Sequence, residues 1–309
     1  MQHSTNTIHP MLLQAKQHGV RMIATDIDWT IRDPDNPRYD FSAIADICCQ
    51  IKKKGIEFLL LTGRDASFRR DIVPLLQKYL KQNSVTSPMY AGCANGGSLY
   101  KITSRAIHTV YRYGLSVNEI DECNALISRS IVKLDLTHAD FQSQGLNVFA
   151  GFLSLSWDEV IPDWILFRAK KYQGLLFCEA TKVSFVLPKL SITKKRLIEM
   201  IRKQLPNRFS LKTDQEYGHI TLKQTDDKFI DKILALEFVR KQKRINKEHV
   251  VVFGGGLDEI DKQMLTKYPY SFTNQQKFKE KNVTKPPYKL IGKSSPVALV
   301  YEAILYLIA

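Results

Sequence analysis

Three short apolar runs, each closed by polar residues and separated by stretches of helical spacing, most limit the folds open to this chain. Arg21-Met-Ile-Ala-Thr-Asp-Ile-Asp28 ends in two acids, Ile56–Leu61 ends at Thr62-Gly63-Arg64, and Met89–Cys93 runs into Asn95-Gly96-Gly97. A run that is apolar at nearly every position suits a strand buried on both faces, the usual state of a parallel sheet covered by helices. Between these runs, Phe41–Lys54 carries Ile44, Ile47 and Ile51 at helical spacing and stops at Gly55. Ala66–Lys81 repeats that pattern, with Pro74 as a point of kinking. The alternation predicts an α/β fold built on a doubly wound, mostly parallel sheet.

From about residue 103 the rhythm changes. Strand-like pieces (Ala106–Tyr113, Asn147–Leu155, Leu175–Leu187, Phe209–Thr213, His219–Leu222) enclose helix-like ones (Ser116–Lys133, Trp157–Tyr172, Ile192–Gln204). This predicts an α+β insertion over 103–225 with its own small sheet, dividing a core into 1–102 (with an extension at 1–20) and 226–309. The first rhythm returns in a helix over Asp227–Arg244 and the strand His249–Phe253. A glycine turn, Gly254–Gly256, leads into a helix from Asp258, and another helix closes the chain at Pro296–Ile308. Gln275–Pro287, basic and proline-containing, reads as an exposed loop.

The chain has 309 residues, 44% hydrophobic and 25% charged, which is ordinary for globular domains and suits two of them. Forty-five basic against 31 acidic residues leave a net charge of +14, favouring anionic partners. The basic residues spread along several helices without interleaved aromatics, which favours a small phosphorylated ligand over nucleic acid. Five cysteines without a CxxC spacing argue against a disulfide framework and for a reducing compartment. Met1–His9 lacks the apolar core of a secretion signal, and Val297–Ala309 is too short to span a bilayer. A soluble, cytoplasmic protein without membrane contact is the expectation; the oligomeric state stays open.

In an open α/β sheet, ligands bind outside the carboxyl ends of the strands. Asp26, Asp28 and Thr30, then Thr62-Gly63-Arg64, then Gly254-Gly-Gly-Leu-Asp258-Glu-Ile-Asp261 all follow apolar runs, so they converge if those strands are parallel neighbours. Two carboxylates about 4 Å apart repel by about 4 kcal/mol at an effective dielectric near 20, which a cation or a shared proton must offset. The bland alternatives are solvated loop acids, a threonine capping a helix, and an Arg64 paired with Asp65 or another surface acid.

Asp26-x-Asp28-x-Thr30, a strand ending Thr62-Gly63-Arg64, and Asn95-Gly96, in that order, resemble the haloacid dehalogenase-like phosphohydrolase superfamily. The insertion after the second motif is similar to the large α+β cap of its Cof and sucrose-phosphate phosphatase branch. Phe272-Thr-Asn274 fits as well, and Lys182-Val-Ser-Phe185 is similar to a substrate-side cap strand. The resemblance implies a three-layer Rossmann-like core with an inserted cap, and a Mg²⁺-dependent phosphatase acting on a small phosphorylated metabolite such as a sugar phosphate. It implies Asp26 as the nucleophile that forms an aspartyl-phosphate and Asp28 as the acid and base. Thr62, Gly63, Arg64, Asn95 and Lys182 are implied as phosphate and substrate contacts. Lys228 matches best as the lysine that neutralises phosphoryl charge, with Lys223 and Lys232 as alternatives. Metal ligands are implied at Asp26, Asp28 and an acid beyond Phe253, Asp258 or Asp261.

Two positions depart from the family pattern. Anchored on Met264-Leu265, the last motif puts Leu257 and Ile260 where the family has Asp and Asn, with Asp258 one residue late. Trp29 stands where the family usually has Gly. A second expectation follows: a binding or regulatory protein that keeps the scaffold with weakened turnover.

Overall fold

The computed structural model describes residues 9–33, 35–65, 67–141, 176–179, 181–213, 217–225, 228–255, 261–275 and 285–309. The expected strand Asn147–Leu155, the helix Trp157–Tyr172, the start of the helix at Asp258 and most of the loop Gln275–Pro287 lie outside them. In chain order the described strands are β1 (Met22–Asp26), β2 (Glu57–Leu61), β3 (Met89–Cys93), β4 (Ser98–Ile102) and β5 (Ile107–Arg112). Next come β6 (Leu176–Glu179), β7 (Lys182–Val186), β8 (Phe209–Thr213), β9 (Tyr217–Thr225) and β10 (Lys228–Phe229), then β11 (Val250–Gly254), β12 (Tyr270–Thr273) and β13 (Tyr288–Lys289). The described α-helices are α1 (Pro10–His18), α2 (Phe41–Lys53), α3 (Val73–Gln82), α4 (Val117–Lys133), α5 (Ser191–Gln204), α6 (Lys232–Gln242), α7 (Lys262–Lys267) and α8 (Pro296–Ile308). The chain divides into two compact units, Met1–Tyr111 with Asp231–Ala309, and Arg112–Ile230.

The first unit holds a sheet ordered β13-β12-β11-β1-β2-β3-β4-β5 among the described residues. Neighbours from β13 through β3 are parallel, and β4 runs antiparallel to β3. Side chains alternate across the sheet with the two-residue period of a strand. Met22, Ala24, Leu59, Leu61, Val250 and Val252 pack with Ile233, Leu236 and Val239 of α6 and with Met264 and Leu265 of α7. Ile23, Phe58, Leu60, Val251 and Phe253 pack on the other face with Leu12 of α1, Ile44 of α2, Leu76 of α3 and Ile304 of α8. Helices therefore cover both faces, giving three layers, and the apolar runs are continuous because neither face meets water. Each fully buried aliphatic or aromatic side chain contributes about 1.5–3 kcal/mol to this sandwich.

Three elements differ from the sequence expectation, each for a local reason. The strand expected at Ala106–Tyr113 within the insertion instead joins the edge of the large sheet as β5. Thr103 makes the turn, its N–H donating to the Ala106 carbonyl at 2.9 Å and its Oγ1 accepting from the Ala106 N–H at 3.0 Å. The helix expected from Asp227 begins at Lys232, because Asp231 is extended (φ −153°, ψ 174°) and caps it, its carboxylate accepting from the Leu234 N–H at 3.3 Å. Pro74 sits in the first turn of α3, where its missing N–H costs nothing, and a π-helical turn at Phe68–Ile72 precedes it.

The second unit carries an antiparallel sheet ordered β10-β9-β7-β6, with β8 also paired to β9. Helix α4 opens with a capping box between Ser116 and Glu119. Its Ile120 and Ile127 join Leu197 and Ile201 of α5 and Phe185 and Ile220 of the sheet in a separate core.

Candidate active site

Strand β1 lies between β2, which follows it in sequence, and β11, which arrives after the second unit. The direction of winding reverses there, so the crevice beyond the carboxyl ends of β1 and β11 is where such a sheet takes a ligand. Asp26 is the last residue of β1. One of its oxygens, Oδ2, accepts from Thr30 Oγ1 at 3.2 Å, and the other, Oδ1, from Lys232 Nζ at 2.6 Å. The same ammonium donates to Asp261 Oδ1 at 2.7 Å. Asp26, Lys232 and Asp261 are all buried. Beside them, a methyl group on Gly255 would come within 3.3 Å of Thr30 Oγ1 and 4.0 Å of Asp26 Oδ2, so a residue without a side chain keeps this face of the carboxylate open.

Burial is the largest influence on Asp26 and drives its carboxyl up to about 7, against the pull of Lys232 and with a further push from Asp261. For Lys232 burial opposes the charge, but Asp26 and Asp261 outweigh it and hold the ammonium above the ordinary lysine range. Removing one member of such a buried set leaves its partners charged and unpaired, at a cost of about 3–5 kcal/mol.

Asp28 is held differently. Arg64 grips it with both arms, Nε to Oδ2 at 2.7 Å and Nη2 to Oδ1 at 3.0 Å, and Arg32 Nη1 donates to Oδ1 at 2.9 Å. Burial would raise this carboxyl, but Arg64 and then Arg32 outweigh it and hold it below the ordinary carboxylate range. The loop after β2 is locked to the loop after β3. The Asn95 N–H donates to the Thr62 carbonyl and the Ala94 N–H to the Arg64 carbonyl, both at 2.9 Å. Gly63 packs on the Asn95 amide, where a Cβ would sit 3.1 Å from Oδ1. Asn95 adopts φ 55°, a left-handed turn. Next to it, a Cβ on Gly96 would lie 2.0 Å from the Asp231 carbonyl oxygen, so this glycine lets the loop seat the start of α6 and with it Lys232.

Asp26, Asp28, Thr62, Gly63, Arg64, Asn95 and Asp261 all belong to the first unit, where the hydrogen bonds above tie them to their neighbours. Arg64 pairs with Asp28 and not with Asp65, whose carboxylate accepts from Ser98, Tyr100 and Arg69. The lysine expected at Lys228 is corrected: Lys228 is in β10 of the second unit, and the ammonium on Asp26 belongs to Lys232. The displacement follows from the helix starting five residues later than expected. An Asp just ahead of an apolar helical run is a capping signal, and reading it at Asp231, before Ile233 and Leu234, would have favoured Lys232. Lys182 is buried in β7 of the second unit, and its neighbour Ser184 hydrogen-bonds His219 at 2.8 Å, so neither lies on a solvated face. Asp258 falls outside the described residues. Arg32 had no sequence reading; its only signal was a spacing of four from Asp28.

Among the described residues no group of three or more His, Cys, Asp or Glu is gathered as a metal cage. The donors present still suit a hard cation. Mg²⁺ is usually held by one or two carboxylates with water and substrate phosphate completing its shell, and Asp26 and Asp261 reach the same ammonium.

No family model and no curated protein matches the sequence. Solved structures do. A phosphatase of the haloalkanoate (HAD) enzyme superfamily from Bacteroides thetaiotaomicron superposes with a TM-score of 0.57 at 13% identity, over 94% of this chain and 97% of that one. A HAD/COF-like hydrolase candidate from Plasmodium vivax gives 0.58 at 17% identity, over 96% and 99%. The IMP-nucleotidase of Plasmodium falciparum gives 0.56 at 12% identity, over 96% of this chain and 65% of that one. The chain therefore shares the fold of these structures, a Rossmann-like core with a mostly parallel sheet.

Proposed function

We propose that this chain is a phosphoric monoester hydrolase acting on a small phosphorylated metabolite, a sugar phosphate or a nucleoside monophosphate. One observation carries the reading: the Asp26 carboxylate sits at the switch point of the sheet between a hydroxyl, Thr30, and a buried ammonium, Lys232. That is the equipment of an anionic nucleophile whose target brings more negative charge. Asp26 attacks phosphorus as the ester bond to the leaving alcohol breaks, and Asp28, which must first loosen from Arg64 and Arg32 and take up a proton from solvent, supplies the proton that alcohol needs. Asp28 then takes a proton from the water that attacks the aspartyl-phosphate, releasing inorganic phosphate and restoring Asp26. Lys232 offsets charge on the phosphoryl oxygens, and Thr62 with the backbone amide of Gly63 orients them. Asp26, the Asp28 carbonyl and an acid beyond β11, Asp261 or Asp258, would hold Mg²⁺, which when bound supplies charge neutralisation and a template for the phosphoryl group. A cytoplasmic location is the reading favoured by five cysteines without a CxxC spacing; no described helix is long and apolar enough to cross a membrane.

The test is hydrolysis of an aryl phosphate with and without Mg²⁺. Asp26→Asn and Lys232→Met should each lower kcat by about 10³-fold or more, the scale expected for losing a nucleophile or a charge stabiliser. Turnover that survives Asp26→Asn would remove the reading. A second reading, a phosphoryl-binding protein with weakened turnover, is favoured by the double arginine grip on Asp28 and by Leu257. Its mark would be tight phosphate binding without hydrolysis, and a gain of turnover in Leu257→Asp.

A further inference from the structure

The geometry around Asp28 points to a receptor for a second anionic group on the substrate, formed by Arg32 and Arg64. This rests on the reading of Asp28 as the group beside the leaving alcohol. Two guanidinium groups donate three hydrogen bonds to this one carboxylate, so a positive charge is left over. The nearby carboxylate of Asp71 offsets it only in part, because both of its oxygens are taken up by Arg70 at 2.6 and 2.8 Å. The cluster is reached by solvent: side-chain exposure is 20% for Arg32 and 30% for both Arg64 and Asp28.

Arg32 also has an anchor independent of Asp28. Its guanidinium lies 4.4 Å from the centre of the Phe41 ring, and that of Arg64 lies 5.9 Å from it. An aromatic face fixes the plane of a guanidinium, so the fork stays aimed when Asp28 moves off it. Asp28 has to give up part of this grip to serve the leaving group, because Oδ1 already accepts two of the three hydrogen bonds and Oδ2 the third, and an oxygen that carries the alcohol's proton accepts less. A carboxylate or phosphate on the leaving group supplies the replacement, and a neutral leaving group does not. Arg32 Nη1 is 2.9 Å from Asp28 Oδ1, the ester oxygen must come within about 3 Å of that carboxylate, and the second anion sits about 3 Å from Nη1, so it lies at most about 9 Å from the ester oxygen. Arg32 thereby selects phosphate esters bearing a second acid within a few bonds of the ester oxygen.

The experiment uses the full chain in Mg²⁺ and compares binding of phosphonoacetate with its neutral amide, phosphonoacetamide, by calorimetry. The acid should bind about tenfold tighter or better, as a bidentate arginine contact warrants. Arg32→Gln should bring the ratio of affinities close to one, and Arg32→Lys, which keeps the charge but loses the fork, should fall between. Equal binding in the unmodified protein overturns the inference, as does a preference that survives in Arg32→Gln and so belongs to the general +14 field. Aryl phosphate hydrolysis alongside equal binding would sink this inference alone. Binding of neither probe would sink the phosphohydrolase reading with it.

Discussion

At the scale of single residues, Trp29 is one of six described non-glycine residues with a positive φ, and the bulkiest of them. It sits at φ 60°, a left-handed conformation that costs a residue with a Cβ about 1–2 kcal/mol, and with 58% of its surface exposed it recovers little through burial. Two backbone bonds hold it there: its N–H donates to the Arg32 carbonyl at 2.8 Å, and its own carbonyl accepts from Asn274 Nδ2 at 2.9 Å. Trp29→Gly should therefore raise stability by about 1 kcal/mol, seen as a higher urea midpoint. Trp29→Ala, which keeps the Cβ, should not. A midpoint that falls in Trp29→Gly would show that the indole contributes packing worth more than the strain. Asp26, Asp28 and Thr30 were legible because they fall within five residues at the end of one strand. Lys232 was harder, because its partner is 206 positions away and sequence spacing across an insertion carries no register.

Among elements, the contact between the end of α2, the start of β2 and the end of α6 is electrostatic. Glu57 accepts from Lys52 at 3.0 Å and from Lys243 at 2.9 Å, and the Lys52 side chain is only 2% exposed. Burial would raise the Glu57 carboxyl, but the two lysines outweigh it and hold it below the ordinary range. A carboxyl lowered on folding contributes stability that is complete above its unfolded value, about 4.3, and is lost as pH falls through the folded value. Glu57→Gln leaves Lys52 buried without its counter-charge and should cost about 1–3 kcal/mol at pH 7. The gap between the two proteins in urea unfolding should narrow at pH 4, and a gap independent of pH would refute the assignment. Strands β1, β2, β3 and β11 of the large sheet were legible as apolar runs, since burial on both faces is written into nearly every position, whereas β4 and β13 had no reading and the partly exposed β5 was expected in the insertion. β10 and the late start of α6 were not, because two residues of pairing leave almost no pattern and the cap at Asp231 competes with the helical periodicity before it.

For the whole molecule, the chain leaves and re-enters the first unit at neighbouring points. Tyr111 donates its hydroxyl to the Gly96 carbonyl at 3.2 Å, and Gly96 packs directly on the Asp231 backbone. Each unit also has apolar clusters of its own. Replacing 112–230 by a Gly/Ser linker of about six residues, with a reach of about 13 Å, should leave a first unit that unfolds cooperatively in urea. A gradual, non-cooperative loss of helical circular dichroism would show that the second unit is required for the first to fold.

The sequence alone determined the class of fold and the first half of the site. Apolar continuity, helical period and short polar punctuation are local properties, and local physics reads them wherever they occur. The tertiary structure decided which cation faces Asp26, that Arg32 joins Arg64 on Asp28, and that Asp65 turns instead to Ser98, Tyr100 and Arg69. Those pairings depend on how parallel strands and their loops are brought side by side, a matter of register between segments that no spacing along the chain encodes.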